Sequence, residues 1–178
     1  MYNKKSNRTR QICNFTRLRQ EILEAKTNQK GIKKTKILNF LKCAPSFIGC
    51  FAENEISSLV IHSFPSFFIV NTDQSNMPGS HWIAIGIFAK KIEIFDTLGF
   101  NIFNWSRVPC SLLAFLHKFA QTRDISILKR IQDDNSSLCG FFCIFYVVTR
   151  SNCSFRQLES LFSSKLTGND STLIKFFS

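Results

Sequence analysis

The chain has 178 residues, a length that excludes two large domains yet suffices to bury a core without disulfide or metal staples. It is 44% apolar and 20% charged with a mean hydropathy of zero, which excludes a disordered or fibrous protein, and its longest apolar run, Leu138 to Val148, is short of the roughly 20 residues a membrane-spanning helix needs. The net charge of +11 is unevenly placed: residues 1–36 hold eleven of the 23 Lys and Arg against only Glu21 and Glu24, a net +9, and the rest carry +2.

The amino end, Met1-Tyr2-Asn3-Lys4-Lys5, has basic residues with no apolar stretch behind them, so no secretory signal is expected. A cytosolic start makes a framework from the seven cysteines unexpected and leaves the six Asn-x-Ser/Thr matches without meaning. Residues 1–36 are predicted to form an arm held extended by self-repulsion, with residues 37–178 as the folded domain. Lys4, Lys5, Arg8, Arg10, Arg17, Arg19, Lys33, Lys34 and Lys36 are its candidate contacts to DNA phosphates. Tyr2 and Phe15 alone could stack on bases, so contacts without base specificity are expected. A solvated tail or a nuclear-import signal is the other reading of the same charges.

Lys36 to Leu41 reads as a short helix that Pro45 ends. Phe67 to Val70 reads as a strand, closed by the polar run Asn71 to Ser80. Trp82 to Phe88 alternates with Ile on one face and, after Lys90-Lys91, Ile92 to Phe95 alternates again, a hairpin. Ser111 to Gln121 has helical apolar spacing behind Pro109, and Cys139 to Val148 is apolar all round, as a buried central helix is. Ser154 to Gln157 has capping-box spacing leading into Leu158, Leu161 and Phe162. The order of helix, hairpin strands and helices predicts an α+β fold.

The candidate chemistry sits at the ends of these elements. His81 opens one hairpin strand and Asp96 closes the other, so the hairpin brings an imidazole to a carboxylate that can fix its tautomer and stabilise its cation. Cys139 opens the long apolar helix, whose positive N-terminus favours a thiolate. Gln132, seven residues earlier, is placed to form an oxyanion hole with the backbone N–H of Cys139, and Gly140 leaves room for close backbone approach. Each residue also has a plainer reading. His81 fits a surface histidine, Cys139 and Cys143 fit inert core thiols, Asp96 fits a turn cap and Gln132 fits loop polarity. A zinc site from His62, His81, Cys139 and Cys143 lacks any paired ligand spacing. Cys43, Cys50, Cys110, Cys143 and Cys153 read as packing thiols.

Four ordered blocks carry a resemblance: Cys43 to Phe51; Gly79-Ser80-His81-Trp82-Ile83-Ala84; Ile94 to Phe100 around Asp96; and Gln132 through Cys139-Gly140 to Cys143. Together they resemble the adenovirus protease family, from about Leu38 to about Arg150. The resemblance implies a papain-like cysteine protease in permuted His-Asp-Gln-Cys order, its nucleophile at the start of a central helix packed on a small antiparallel sheet. It implies that Cys139 attacks the scissile carbonyl, His81 moves the proton, Asp96 orients His81 and Gln132 completes the oxyanion hole. It further implies capsid and core precursor proteins cut beside glycine as substrates, with DNA and a short viral peptide as cofactors; a monomer with no metal and no membrane contact, acting in the host nucleus and the virion, is the accompanying expectation. The family's acid is commonly Glu, whereas Asp96 matches the related SUMO-processing proteases. Cys110 falls in the interval where the adenovirus enzyme joins its peptide, but beside an expected helix start. A SUMO-like or ubiquitin-like deconjugating protease, and a DNA-binding or packaging protein with a degenerate site, are the alternatives.

Overall fold

The structure is a computed structural model that describes residues 4–99 and 109–178, with side chains described from Phe15 onward. Five strands form one mixed sheet in the order β1 (Phe47–Phe51), β2 (Ser66–Asn71), β3 (Trp82–Ile87), β4 (Lys91–Phe95) and β5 (Asp124–Ile127). The two outer pairings are parallel and the two inner ones antiparallel. Among the described residues six α-helices surround it, α1 (Lys4–Asn28), α2 (Lys34–Leu41), α3 (Cys110–Ala120), α4 (Cys139–Thr149), α5 (Phe155–Ser160) and α6 (Asn169–Phe176), with one 3-10 turn over Glu53–Ser58. The fold is thus α+β, as expected, but the sheet is mixed where a small antiparallel one was implied, because β1 and β5 are reached by connections that bring them in parallel to β2 and β4. Among the described residues no helix is long and apolar enough to cross a membrane.

The period-2 pattern of the hairpin divides between two cores. Ile83, Ile85 and Ile87 join Phe68, Val70, Ile92 and Ile94 beneath α3, while Trp82, Ala84, Phe67 and Phe95 face α4. Every residue of β2 and β3 is therefore buried, because both faces of the sheet are covered. The all-round apolar stretch does form the central helix, with ten of the eleven residues of α4 buried.

A polar cluster locks α4 to β4. Glu93, fully buried, accepts from Arg150 Nε at 2.6 Å and Arg150 Nη2 at 2.8 Å, from the Tyr146 hydroxyl at 2.9 Å and from Lys91 at 2.6 Å. Burial alone would raise its carboxyl, but the bonds to Arg150 and Lys91 outweigh that and hold it below the ordinary range. Gly86 makes the geometry possible, since a Cβ there would lie 2.3 Å from the Tyr146 hydroxyl.

The amino-terminal region departs from the sequence reading. The expected extended arm is a helix over Lys4–Asn28, and Leu18, Ile22, Ala25 and Ile32 are buried in the same core as α4. Their helical spacing, continued backward by Phe15 against Phe177 at 5.4 Å, gives this stretch an apolar stripe that outweighs self-repulsion. β1, β5 and α6 were also not anticipated. β1 and β5 are short edge strands, and α6 is mostly polar with only Asn169 and Leu173 buried.

Candidate active site

His81 directly precedes β3 and Asp96 directly follows β4, and the pairing of Ala84 with Phe95 sets these two ends side by side. His81 Nε2 and Asp96 Oδ1 are 2.6 Å apart. The same Oδ1 accepts the Leu98 N–H at 3.0 Å, and the Gly99 N–H donates to the Asp96 carbonyl at 3.1 Å. Asp96 is therefore both a turn cap and the partner of the imidazole.

Cys139 is the first residue of α4, and the N-cap Leu138 supplies no side-chain acceptor to the first N–H groups of that helix. Cys139 lines the same cleft as the imidazole, near enough to raise the ring's affinity for its proton. With Nε2 engaged by Asp96, Nδ1 is the ring nitrogen left for the sulfur. Burial disfavours a charged ring, but the hydrogen bond to Asp96 and the proximity of Cys139 outweigh it, so His81 is pushed up to about 10. The balance favours a protonated ring between Asp96 and Cys139.

The other cysteines divide by environment. Cys143, one turn along α4, donates to the Trp82 carbonyl at 3.4 Å, and burial pushes its thiol up. Burial also pushes Cys50 up to about 12 against the lowering effect of Lys34. Both are core thiols, as read from the sequence. Cys43 and Cys110 are exposed and Cys153 half-buried, so packing does not account for the first two. His62 is exposed and does not line the cleft that holds His81 and Cys139, so the four residues weighed for zinc are not brought together.

Gln132 is buried and lines the same cleft. The Thr97 hydroxyl donates to its Oε1, and its Nε2 donates to the Ser136 carbonyl at 2.6 Å. Thr97 also receives the backbone N–H groups of Ile131 and Gln132 on its carbonyl at 3.0 and 2.9 Å. The amide is thus pinned with one N–H spent on Ser136 and the second left over. Thr97 was missed at the sequence level, although its place immediately after the acid was a usable signal.

The cleft, about 830 Å³, is also lined by the segment Gln29 to Lys34, which the sequence reading had assigned to the arm. Trp82 Nε1 donates to the Ile32 carbonyl at 3.1 Å, and the Ser137 hydroxyl to the Ala25 carbonyl at 3.3 Å. Gly140 serves this contact, since a Cβ there would meet Ile32 Cγ2 at 2.3 Å and Trp82 Cδ1 at 2.9 Å. The close approach is made by side chains of the same chain. Of the nine cations proposed for DNA, Arg17, Arg19, Lys33 and Lys36 are exposed, Lys36 pairing with Glu21, and the half-buried Lys34 pairs with Glu55. The side chains of Lys4, Lys5, Arg8 and Arg10 lie outside the described residues.

A thiol at a helix N-terminus, an imidazole beside it, a carboxylate behind the ring and a pinned amide nearby form a group equipped for thiol-based acyl transfer. The chain belongs to the adenovirus endoprotease family, whose model matches residues 47–176. It is similar to a protease of bovine adenovirus 2, 28% identical over 119 residues, a match covering 62% of this chain and 58% of that protein. The matched part is thus little more than half of that relative's length. Among solved structures it is similar to the pS273R protease of ASFV at 26% identity, with a TM-score of 0.38 over 62% of this chain and 42% of that one.

Proposed function

We propose that the chain is a cysteine endopeptidase of papain-like, permuted type that cleaves viral capsid and core precursor proteins during virion maturation. The observation that carries this reading is the placement of His81 between Asp96 and Cys139 in a chain of the adenovirus endoprotease family. The Cys139 thiolate attacks the scissile carbonyl carbon, forming the C–S bond while the carbonyl oxygen takes the negative charge. That oxygen is held by the second N–H of Gln132 and the backbone N–H of Cys139. His81 then gives its proton to the amine as the C–N bond breaks, leaving a thioester on Cys139. Water attacks the thioester, its proton passes to His81, the C–S bond breaks and the acid product leaves. Asp96 holds the ring so that Nδ1 faces the sulfur throughout.

Family resemblance supports DNA and a short viral peptide as cofactors, and the exposed Arg17 and Arg19, outside the cleft, suit phosphate contacts. It likewise supports action as a monomer in the host nucleus and the virion. The test is peptide cleavage by the full chain and by Cys139→Ala, with circular dichroism as the control for folding. Cleavage is expected in the first and absent in the second, with His81→Ala nearly as inactive and Asp96→Ala slower but active. Cleavage retained by Cys139→Ala sinks the assignment.

A further inference from the structure

The cleft that holds His81 and Cys139 is also lined by Lys30, Lys33 and Lys34, from a segment that precedes the span matched by the family. Its carboxylates already have cations. Glu55 is bound to Lys34 at 2.9 Å and Asp134 to Arg130 at 2.5 Å, and Asp96, behind the imidazole, is bound to His81 at 2.6 Å. Lys30 and Lys33 are exposed and, among the described residues, have no carboxylate partner.

Their backbone is fixed. The Lys30 N–H donates to the Ala25 carbonyl at 3.0 Å, the Ile32 side chain is buried and its carbonyl takes the Trp82 indole, and the Lys33 carbonyl accepts from Lys36 and Ile37 at the start of α2. Two ammonium groups are therefore presented from a rigid strip, one residue on either side of Gly31-Ile32, along a cleft whose own acids are neutralised. A solvated face would leave their number and spacing unconstrained, whereas here both line the catalytic cleft.

We propose that Lys30 and Lys33 make this cleft select polypeptides carrying acidic side chains beside the bond to be cut. The inference rests on the peptidase reading and names the substrate class of that site. The test uses the full-length Cys139→Ala chain and two fluorescein-labelled peptides of one sequence, with Asp and Glu in one replaced by Asn and Gln in the other. The acidic peptide is expected to bind roughly three- to tenfold tighter at low salt, as two exposed ion pairs allow. That ratio should fall toward one in 0.5 M salt and in Cys139→Ala/Lys30→Ser/Lys33→Ser. Lys30→Glu/Lys33→Glu in the same background should favour a basic peptide instead. Equal binding of the two peptides, a preference that survives the double serine variant, or lysine-dependent binding of a single-stranded oligonucleotide without a preference for the acidic peptide would each overturn it. Cleavage of either peptide by the unsubstituted chain is scored separately, and its absence counts against the peptidase reading and not against the binding preference.

Discussion

Trp82 donates its indole N–H to the carbonyl of Ile32 across 50 positions of sequence, in a buried setting. The residue next to the imidazole thus leans on the amino-terminal segment, which in turn meets Gly140 next to the thiol. Trp82→Phe keeps the ring but leaves the Ile32 carbonyl buried and unpaired. A loss of about 1–3 kcal/mol in urea unfolding is expected. Unchanged stability would show that the contact is incidental.

Thr97 reaches the proposed oxyanion amide through its hydroxyl bond to Gln132. In Thr97→Val the amide loses the donor on its Oε1, so kcat is expected to fall while KM stays close to its starting value. Thr97→Ser keeps the hydroxyl and should restore kcat, a rescue that a purely structural role would not produce. Gln132→Ala should cost more, on the order of 100- to 1000-fold in kcat, if its amide supports the oxyanion directly.

Glu93→Gln leaves Arg150 beside a neutral amide in the core. Breaking a buried pair from one side is expected to cost about 3–5 kcal/mol in chemical denaturation. The pH dependence has a definite sign. Because the folded carboxyl lies below its ordinary value, its contribution is present above the unfolded pKa and disappears as pH falls through the folded one. Glu93→Gln should therefore flatten the acid limb of the stability curve.

His81 has the opposite sign. Its folded value of about 10 lies above the ordinary 6.5, so its contribution is complete below pH 6.5 and is lost as pH rises toward 10. Ring-proton NMR should find His81 still protonated at pH 8. Cys139→Ser and Asp96→Asn should each lower its titration midpoint, since each weakens an interaction that raises it. A midpoint near 6.5 in the unsubstituted chain would contradict this electrostatic account.

Much of this was legible in the sequence where one local pattern decided the outcome. The alternation from Trp82 to Phe95 gave the hairpin, and the hairpin set His81 beside Asp96. The apolar run after Leu138 gave the helix that starts at Cys139. Charge masks the amino-terminal helix, because eleven cations in residues 1–36 outnumber the few apolar residues, Leu18, Ile22 and Ala25, that set its helical stripe. β1 and β5 are held by their neighbours in the sheet, and four or five residues carry too little pattern to reveal them. The contribution of Ile32 to the site was not readable at all, since it depends on a carbonyl and a close approach at Gly140 that only tertiary packing creates.

The most direct measurement is alkylation of the full chain by iodoacetamide at neutral pH, resolved by residue with mass spectrometry. Cys139 is only 7% exposed, whereas Cys43 and Cys110 are exposed, so accessibility and activation make opposite forecasts. An activated nucleophile requires Cys139 to react fastest among the described cysteines and to slow in His81→Ala. Faster modification of Cys43 or Cys110, with Cys139 indifferent to His81, would contradict the assignment of Cys139 as the nucleophile.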